Sequence, residues 1–227
     1  SAFEREDVGQ VFRSLRKISV HSAAHFRQVF GNLRFERIRR GAFRAPRRVA
    51  AENFLHGQYE VRFQARANSR FRRQARTPLG FAEDSLVLLG SSTWAGEEQM
   101  LLDALGKIRA KKIDCRLLLV PRHAERRAQI KQLLEHYPHW VRSESKQAPA
   151  GTLVYLADTT GELRTLTQIA DFAFVGKSLP PNVGGQTPID CAALGVPIVY
   201  GPNMTNFRRA CETLERDGAV VKVPDDQ

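Results

Sequence analysis

The chain of 227 residues predicts an α/β fold over residues 81–227: a mostly parallel sheet with helices on both faces. Two observations predict it. Short apolar runs, five to seven residues long, alternate with amphipathic stretches from Phe81 onward, the pattern of strands buried on both faces and joined by crossover helices. The loops between them are rich in Gly, Pro, Ser, Thr and Asn, as strand-to-helix turns require. A third feature sets the preceding segment apart. Residues 1–80 carry 18 Lys and Arg against 6 Asp and Glu, a net of +12, whereas 81–227 carry 17 against 18, a net of −1. The charge of +11 therefore belongs to one segment, nearly all of it Arg, as in RIRRGAFRAPRR and RANSRFRRQAR.

Taken in order, Val11–Phe30 and Val49–Phe71 have apolar positions at helical spacing, so 1–80 reads as an Arg-rich, mainly helical arm. Thr77-Pro78-Leu79-Gly80 is turn chemistry and marks a boundary. Ser85–Ser91 is the first strand and Gly96–Ala110 the first helix. Cys115–Val120 is a strand, followed by a charged helix near Ala124–His136 and a short strand at Trp140–Arg142. Thr152–Leu156 leads to a helix near Glu162–Ile169, and Asp171–Val175 to a Gly/Pro loop and a helix near Pro188–Leu194. Val196–Tyr200, a helix near Asn206–Arg216, and Ala219–Val223 close the pattern. This is a Rossmann-like arrangement, in which ligands bind at the loops past the carboxyl ends of the strands.

Composition narrows the classes of function. No run of about 18 apolar residues is present, so no membrane-spanning helix is expected. The start, SAFEREDVGQ, has no basic-then-apolar signal pattern. Cys115, Cys191 and Cys211 are widely spaced and form no CxxC, which fits a reduced compartment and argues against a disulfide framework or a zinc site. His136 and His139, separated by two residues that include a Pro, read as a surface turn. No GxSxG, Ser-His-Asp order or GxxxxGK[ST] occurs. The Arg arm reads either as a solvated helical face or as a surface for an anionic partner: a lipid surface, a phosphorylated glycolipid or nucleic acid. Few aromatics interleave the Arg residues and no recognition motif is visible, so nucleic acid is the least favoured of these.

Five strand-end loops hold the chemistry. In Ser91–Glu98, Ser92 and Thr93 with Gly96 can bring backbone N–H groups to an anion, or the loop is a plain helix cap with Glu97 and Glu98 favouring the dipole. In Pro121–Arg126, Arg122 can pair bidentately with a phosphate or carboxylate and His123 can orient it, or Arg122, Glu125 and Arg126 form a helix-start salt network. In Asp158–Leu163, Asp158 or Thr159 caps a helix with Glu162 in its first turn; Thr160 and Gly161 present backbone that can meet a nucleotide base. Ser178 and then Gly184-Gly185-Gln186-Thr187-Pro188-Ile189-Asp190 form the fourth loop. The Gly pair allows close approach of the backbone, Thr187 is a good N-cap with Pro188 at the first helical position, and Asp190 completes a capping box. That helix start can hold a phosphate, and an acid in its first turn can accept from ribose hydroxyls. In Gly201–Phe207, Asn203 and Asn206 bond either the loop backbone or a substrate.

Together these loops resemble the Kdo (3-deoxy-D-manno-octulosonic acid) transferases of lipopolysaccharide assembly. The family's STHxGEE is similar to Ser92-Thr93-Trp94-Ala95-Gly96-Glu97-Glu98, and its PRHxER to Pro121–Arg126. Its DTMGEL is similar to Asp158–Leu163 with Thr160 for Met, and its AFVGGSL to Ala173–Leu179 with Lys177 for Gly. Its GGHNPLEPAA resembles Gly184–Ala193, with Gln186 and Thr187 for His and Asn and Asp190 for Glu; its GPxxxNF resembles Gly201–Phe207. Order and spacing are kept across about 130 residues. Gly31–Glu36 resembles the GNLKFD that precedes the family's donor domain.

The resemblance implies the C-terminal, donor-binding half of a GT-B glycosyltransferase. It implies a CMP-activated Kdo as donor, a lipid A precursor as acceptor, and no cofactor. Arg122 and the Gly184–Asp190 helix start would hold the CMP, with Asp190 in the ribose-binding place; one methylene less than Glu shortens its reach by roughly 1.5 Å. The family's acceptor half supplies the general base, and residues 1–80 hold no counterpart, so the catalytic residue is not assigned in this chain. The localisation implied is cytoplasmic, at the inner face of the bacterial cytoplasmic membrane. The other reading is a non-enzymatic, donor-like binding module whose basic arm contacts anionic lipid or another partner.

Overall fold

A computed structural model describes residues 74–217 and 219–222. The expected helices within 1–73, the GNLRFE segment and Val223 lie outside the described residues. A 3-10 turn, Thr77–Leu79, opens the description. The strands are β1 (Leu86–Thr93), β2 (Cys115–Pro121), β3 (His139–Val141), β4 (Val154–Leu156), β5 (Phe172–Val175), β6 (Ile198–Tyr200) and β7 (Val220–Lys222). The helices are α1 (Glu97–Ala110), α2 (Arg127–Leu134), α3 (Leu163–Thr167), α4 (Ile189–Ala193) and α5 (Arg208–Arg216). Each element read from residue 81 onward is present, most of them shorter than the apolar runs that signalled them. The helices expected from Ala124 and Asn206 open as 3-10 turns, Ala124–Arg126 and Thr205–Phe207, before continuing as α2 and α5.

All seven strands pair in parallel, in the order β3-β4-β2-β1-β5-β6-β7. The pleat sends successive side chains to opposite faces. Leu88, Leu117, Leu119 and Phe174 therefore pack with Leu101, Leu105, Ile108, Ile130 and Leu134 of α1 and α2. Val87, Leu89, Leu118, Tyr155 and Val175 pack on the other face with Leu166, Cys191 and Cys211 of α3, α4 and α5. A central strand such as β1, Leu86–Thr93, is buried along nearly its whole length because both faces are covered. The expected fold class, a Rossmann-like α/β sheet with helices on both faces, is the observed one.

The turn before the sheet is part of its packing. Leu79 and Phe81 lie in the core, and Ala75 packs against it. Arg76 is buried, its Nη1 donating to the carbonyls of Glu83 (2.8 Å) and Ser85 (2.7 Å) and its Nη2 to Asp171 Oδ2 (2.7 Å). The same Asp171 oxygen accepts the Val87 N–H at 2.8 Å. A guanidinium on the arm side of the boundary drawn at residue 80 thus ties the entering chain to the amino ends of β1 and β5.

The strand order reverses between β1 and β5. The chain leaves β1 toward β2, β4 and β3, then returns across the sheet to β5 on the other side of β1. Loops that leave adjacent strands in opposite directions open a crevice at their carboxyl ends.

Candidate donor site at the strand ends

The five polar loops line one edge of the sheet, past the carboxyl ends of β1, β2, β4, β5 and β6. Backbone hydrogen bonds join them directly. Arg122 N–H donates to the Thr93 carbonyl (3.1 Å), Gly176 N–H to Ser91 (2.9 Å), Gly185 N–H to Lys177 (3.1 Å), and Asn206 N–H to Gly184 (3.0 Å). So Ser92, Thr93, Arg122, His123, Ser178, Gly184, Gly185 and Asn206 belong to one assembly.

Glu97 is the residue at its centre, although its place in the sequence suggested only a share in a helix dipole. Its side chain turns into the crevice between β1 and β5 and is buried. Oε2 accepts the N–H groups of Trp94 (2.9 Å) and Lys177 (2.9 Å), and Oε1 that of Ser178 (3.1 Å). Burial raises the carboxyl's pKa, opposed by these backbone donors. Gly176 makes the arrangement possible. A Cβ there would sit 2.3 Å from the Ser92 carbonyl oxygen and 2.8 Å from Glu97 Oε2, so only glycine lets the two loops approach. Ser92 (φ 53°) and Lys177 (φ 57°) adopt left-handed backbone on either side of this clamp.

Ser178 is a correction to the expected ligand contacts. It is fully buried; its Oγ donates to the Val175 carbonyl (2.6 Å) and accepts the Gly201 N–H (2.9 Å). A hydroxyl with both roles taken inside the protein locks the β5 and β6 loops together and does not face a ligand. Asn203 is similar: its Nδ2 donates to the Asn182 carbonyl at 2.6 Å.

The Gly-rich loop differs in part from the expected phosphate cradle. Gly184 (φ 96°) and Gly185 (φ 73°) fold it back over the β5 loop. The N–H groups of Gly185 and Gln186 are spent on the carbonyls of Lys177 and Gly176. Thr187 is not the expected N-cap: Pro188 holds that position without a side-chain cap hydrogen bond, and Thr187, one residue earlier, accepts the Ile189 N–H through its Oγ1 at 3.2 Å. Asp190 does not complete a capping box. It pairs with Arg164 of α3 at 2.9 Å, because Arg164 projects from the neighbouring helix on the same edge.

The β4 loop also corrects its expected cap. Asp158 accepts from Ser143 N–H (2.9 Å) and Ser143 Oγ (2.6 Å) and pairs with Arg127 (3.3 Å), bracing the end of β4 against the loop after β3. Glu162 receives both arms of Arg142, at 2.6 and 3.1 Å, and the Thr159 hydroxyl. Hydrogen bonds from Arg142 and then Thr159 hold its carboxyl below the ordinary value of 4.5. Thr160 and Gly161 remain exposed at the tip.

The β2 loop follows neither arrangement read from sequence in full. Arg126 leaves the supposed local network and forms a two-armed pair with the buried Glu98 of α1, at 2.8 and 3.0 Å. Glu125 pairs with His123 at 3.1 Å. Arg122 is exposed, and among the described residues no carboxylate pairs with its guanidinium. It stands at the carboxyl end of β2, beside the crevice, as a fork open to an anion. Among the described residues no group of His, Cys, Asp and Glu could hold a metal ion, and no helix is long and apolar enough to cross a membrane.

No protein-family profile matches the sequence. The 3-deoxy-D-manno-octulosonic acid transferase of Haemophilus influenzae is 34% identical over 143 residues, covering 62% of this chain and 33% of that protein. The enzyme of that name from Bordetella pertussis is 33% identical over 147 residues, covering 61% of this chain and 34% of that protein. The chain thus spans about a third of the length of these curated relatives. Among solved structures, the C-terminal CMP-Kdo binding domain of WaaA from Acinetobacter baumannii matches with a TM-score of 0.61 and 30% identity, over 68% of this chain and 80% of that one. Those coverages, with the ordered loops described above, show that the chain belongs to the 3-deoxy-D-manno-octulosonic acid transferase family and carries a domain of its C-terminal, donor-binding kind.

Proposed function

We propose that this domain binds CMP-Kdo in the crevice between β1 and β5 and presents it for transfer to a lipid A precursor. The single observation that carries the reading is the open guanidinium of Arg122 at the edge of that crevice, within a fold matching a domain described as CMP-Kdo binding. In the reaction a sugar hydroxyl of the acceptor displaces CMP, so negative charge grows on the leaving phosphate. Arg122 and the surrounding backbone dipoles stabilise that charge. No cofactor enters this scheme. The general base that takes the acceptor's proton is not among the residues described, and it must lie within hydrogen-bond reach of the attacking hydroxyl. Donor binding is therefore the activity proposed for these residues; transfer belongs to the site completed by an acceptor half.

The test is calorimetric titration of the chain with CMP beside an Arg122→Ala variant. A charge-assisted hydrogen bond contributes about 1.5–3 kcal/mol, so the variant is expected to bind at least roughly tenfold more weakly. Equal affinity of the two proteins removes Arg122 from the site.

The Arg-rich arm is proposed to hold the domain at an anionic lipid surface, on the inner face of the bacterial cytoplasmic membrane. Its net of +12 supports this, each basic residue near such a surface contributing about 1 kcal/mol. Vesicles containing anionic lipid should sediment the chain at low salt, and Arg→Ala changes in RIRRGAFRAPRR should release it. Binding that survives both those changes and high salt sinks the proposal.

A further inference from the structure

Three loops meet in a stack that the donor reading leaves unexplained. Lys177 Nζ lies 4.6 Å from the centroid of the Trp94 ring. The same ring meets His123, edge-on at 5.1 Å and 83°. Side chains from the loops after β5, β1 and β2 thus meet at Trp94, near the point where the strand order reverses. Trp94 and Lys177 are also two of the places where the sequence departs from the patterns it resembles, STHxGEE and AFVGGSL, which carry His and Gly there. The two departures touch each other.

Lys177 is an awkward residue for its position. Its φ of 57° is left-handed backbone, which glycine adopts freely and an L side chain does not. Strained backbone of this sort persists where surrounding structure enforces it, here through the Lys177 N–H held by Glu97 Oε2 at 2.9 Å. Among the described residues no carboxylate pairs with the Lys177 ammonium, which lies over the neutral indole face. Beside it, Trp94 Nε1 and the fully buried Thr93 Oγ1 have no hydrogen-bond partner. The ammonium without a carboxylate and the two idle donors stand on the adjoining loops after β5 and β1, and Arg122 is on the loop after β2. That constellation fits an anion.

We propose that Lys177 is a specificity-determining residue of the donor site: its ammonium, parked over Trp94 in the free protein, pairs with an anionic oxygen of the donor when it binds. The inference rests on the donor reading above. The anionic oxygen belongs either to the nucleotide phosphate or to the carboxylate of the sugar acid, and the choice of ligands separates them.

The experiment uses the full chain carrying Trp140→Phe, which leaves Trp94 as its single tryptophan. Trp94 fluorescence and calorimetry are followed during titration with cytidine, CMP and CMP-Kdo. CMP or CMP-Kdo should shift the Trp94 emission, because the cation leaves the ring, and cytidine should not. Lys177→Met should abolish that shift and weaken anionic ligands roughly tenfold, the loss expected of one charge-assisted contact, with cytidine unchanged. Lys177→Gly removes the side chain and the backbone strain together, so it should fold normally and show the same loss. Loss for both CMP and CMP-Kdo assigns the phosphate; loss for CMP-Kdo alone assigns the carboxylate. If both variants bind all three ligands as the parent does, Lys177 is not a determinant, although the donor reading stands. A parent chain that binds none of them overturns the donor reading and this inference together.

Discussion

At the scale of single residues, charge decides most of what the loops do. Glu162 is the clearest case for pH. Arg142 and Thr159 favour its ionised form, so the folded protein holds that proton less tightly than the unfolded chain. The stabilisation is present above the ordinary value of 4.5 and is lost as pH falls through the lowered folded value. Glu162→Gln should therefore flatten the acid limb of a plot of melting temperature against pH between neutrality and about pH 3. A variant with the same acid limb as the parent contradicts this account of Glu162. Glu97 has the opposite sign. Burial raises its pKa, so its ionisation costs stability as pH rises through the ordinary carboxylate range. Cys115 and Cys191 are buried, and burial pushes both thiols up to about 12, which leaves them poor nucleophiles.

Single residues were also where the sequence was least legible. Glu97 and Glu98 follow Gly96 as any first-turn acids do, and nothing in their spacing says that both turn inward. One meets a backbone N–H of its own loop and two from the loop after β5, and the other a guanidinium 28 residues away. Asp158 looked like a helix cap because cap chemistry is local, but its partners, Ser143 and Arg127, come from elsewhere in the fold. Ser178 and Asp190 also looked available, but Ser178 is taken by Val175 and the distant Gly201, and Asp190 by the distant Arg164. Arg122 was legible as a ligand candidate, and the described residues leave it open.

At the scale of elements, the apolar runs were sufficient. Leu117–Leu119 and Phe172–Val175 read as strands buried on both faces, and the helices cover them with α1 and α2 on one face and α3, α4 and α5 on the other. Their order across the sheet was not legible, because periodicity reports which face a residue takes and not which strand lies beside it. The return from β4 to β5, which creates the crevice, therefore came only from the structure. Arg76 escaped notice as one more Arg of a basic arm, though it is buried and paired. The close contact of the β1 and β5 loops rests on Gly176. Gly176→Ala places a methyl 2.3 Å from a backbone oxygen, with no flexible side chain to yield. Overpacking of this kind costs about 1–3 kcal/mol. The variant should melt several degrees lower and bind CMP more weakly, because the Glu97 clamp opens. A variant of unchanged melting temperature shows that the loops can part without cost.

At the scale of the whole molecule, the chain divides by charge. A basic segment of 80 residues precedes a nearly neutral sheet domain whose polar loops all gather at one edge. Carbonyls, N–H groups and carboxylates of those loops satisfy one another there. Under the proposed function this edge selects CMP. The most direct measurement is calorimetric titration of the full chain with CMP and, separately, with UMP, which differs only in the pyrimidine edge. Saturable binding of CMP is expected, with at least roughly tenfold weaker binding of UMP, the discrimination that follows when one base-edge hydrogen bond is lost. Equal binding of the two, or none of either, would contradict it: the first would leave an anion site without a donor preference, the second a shared fold without its ligand.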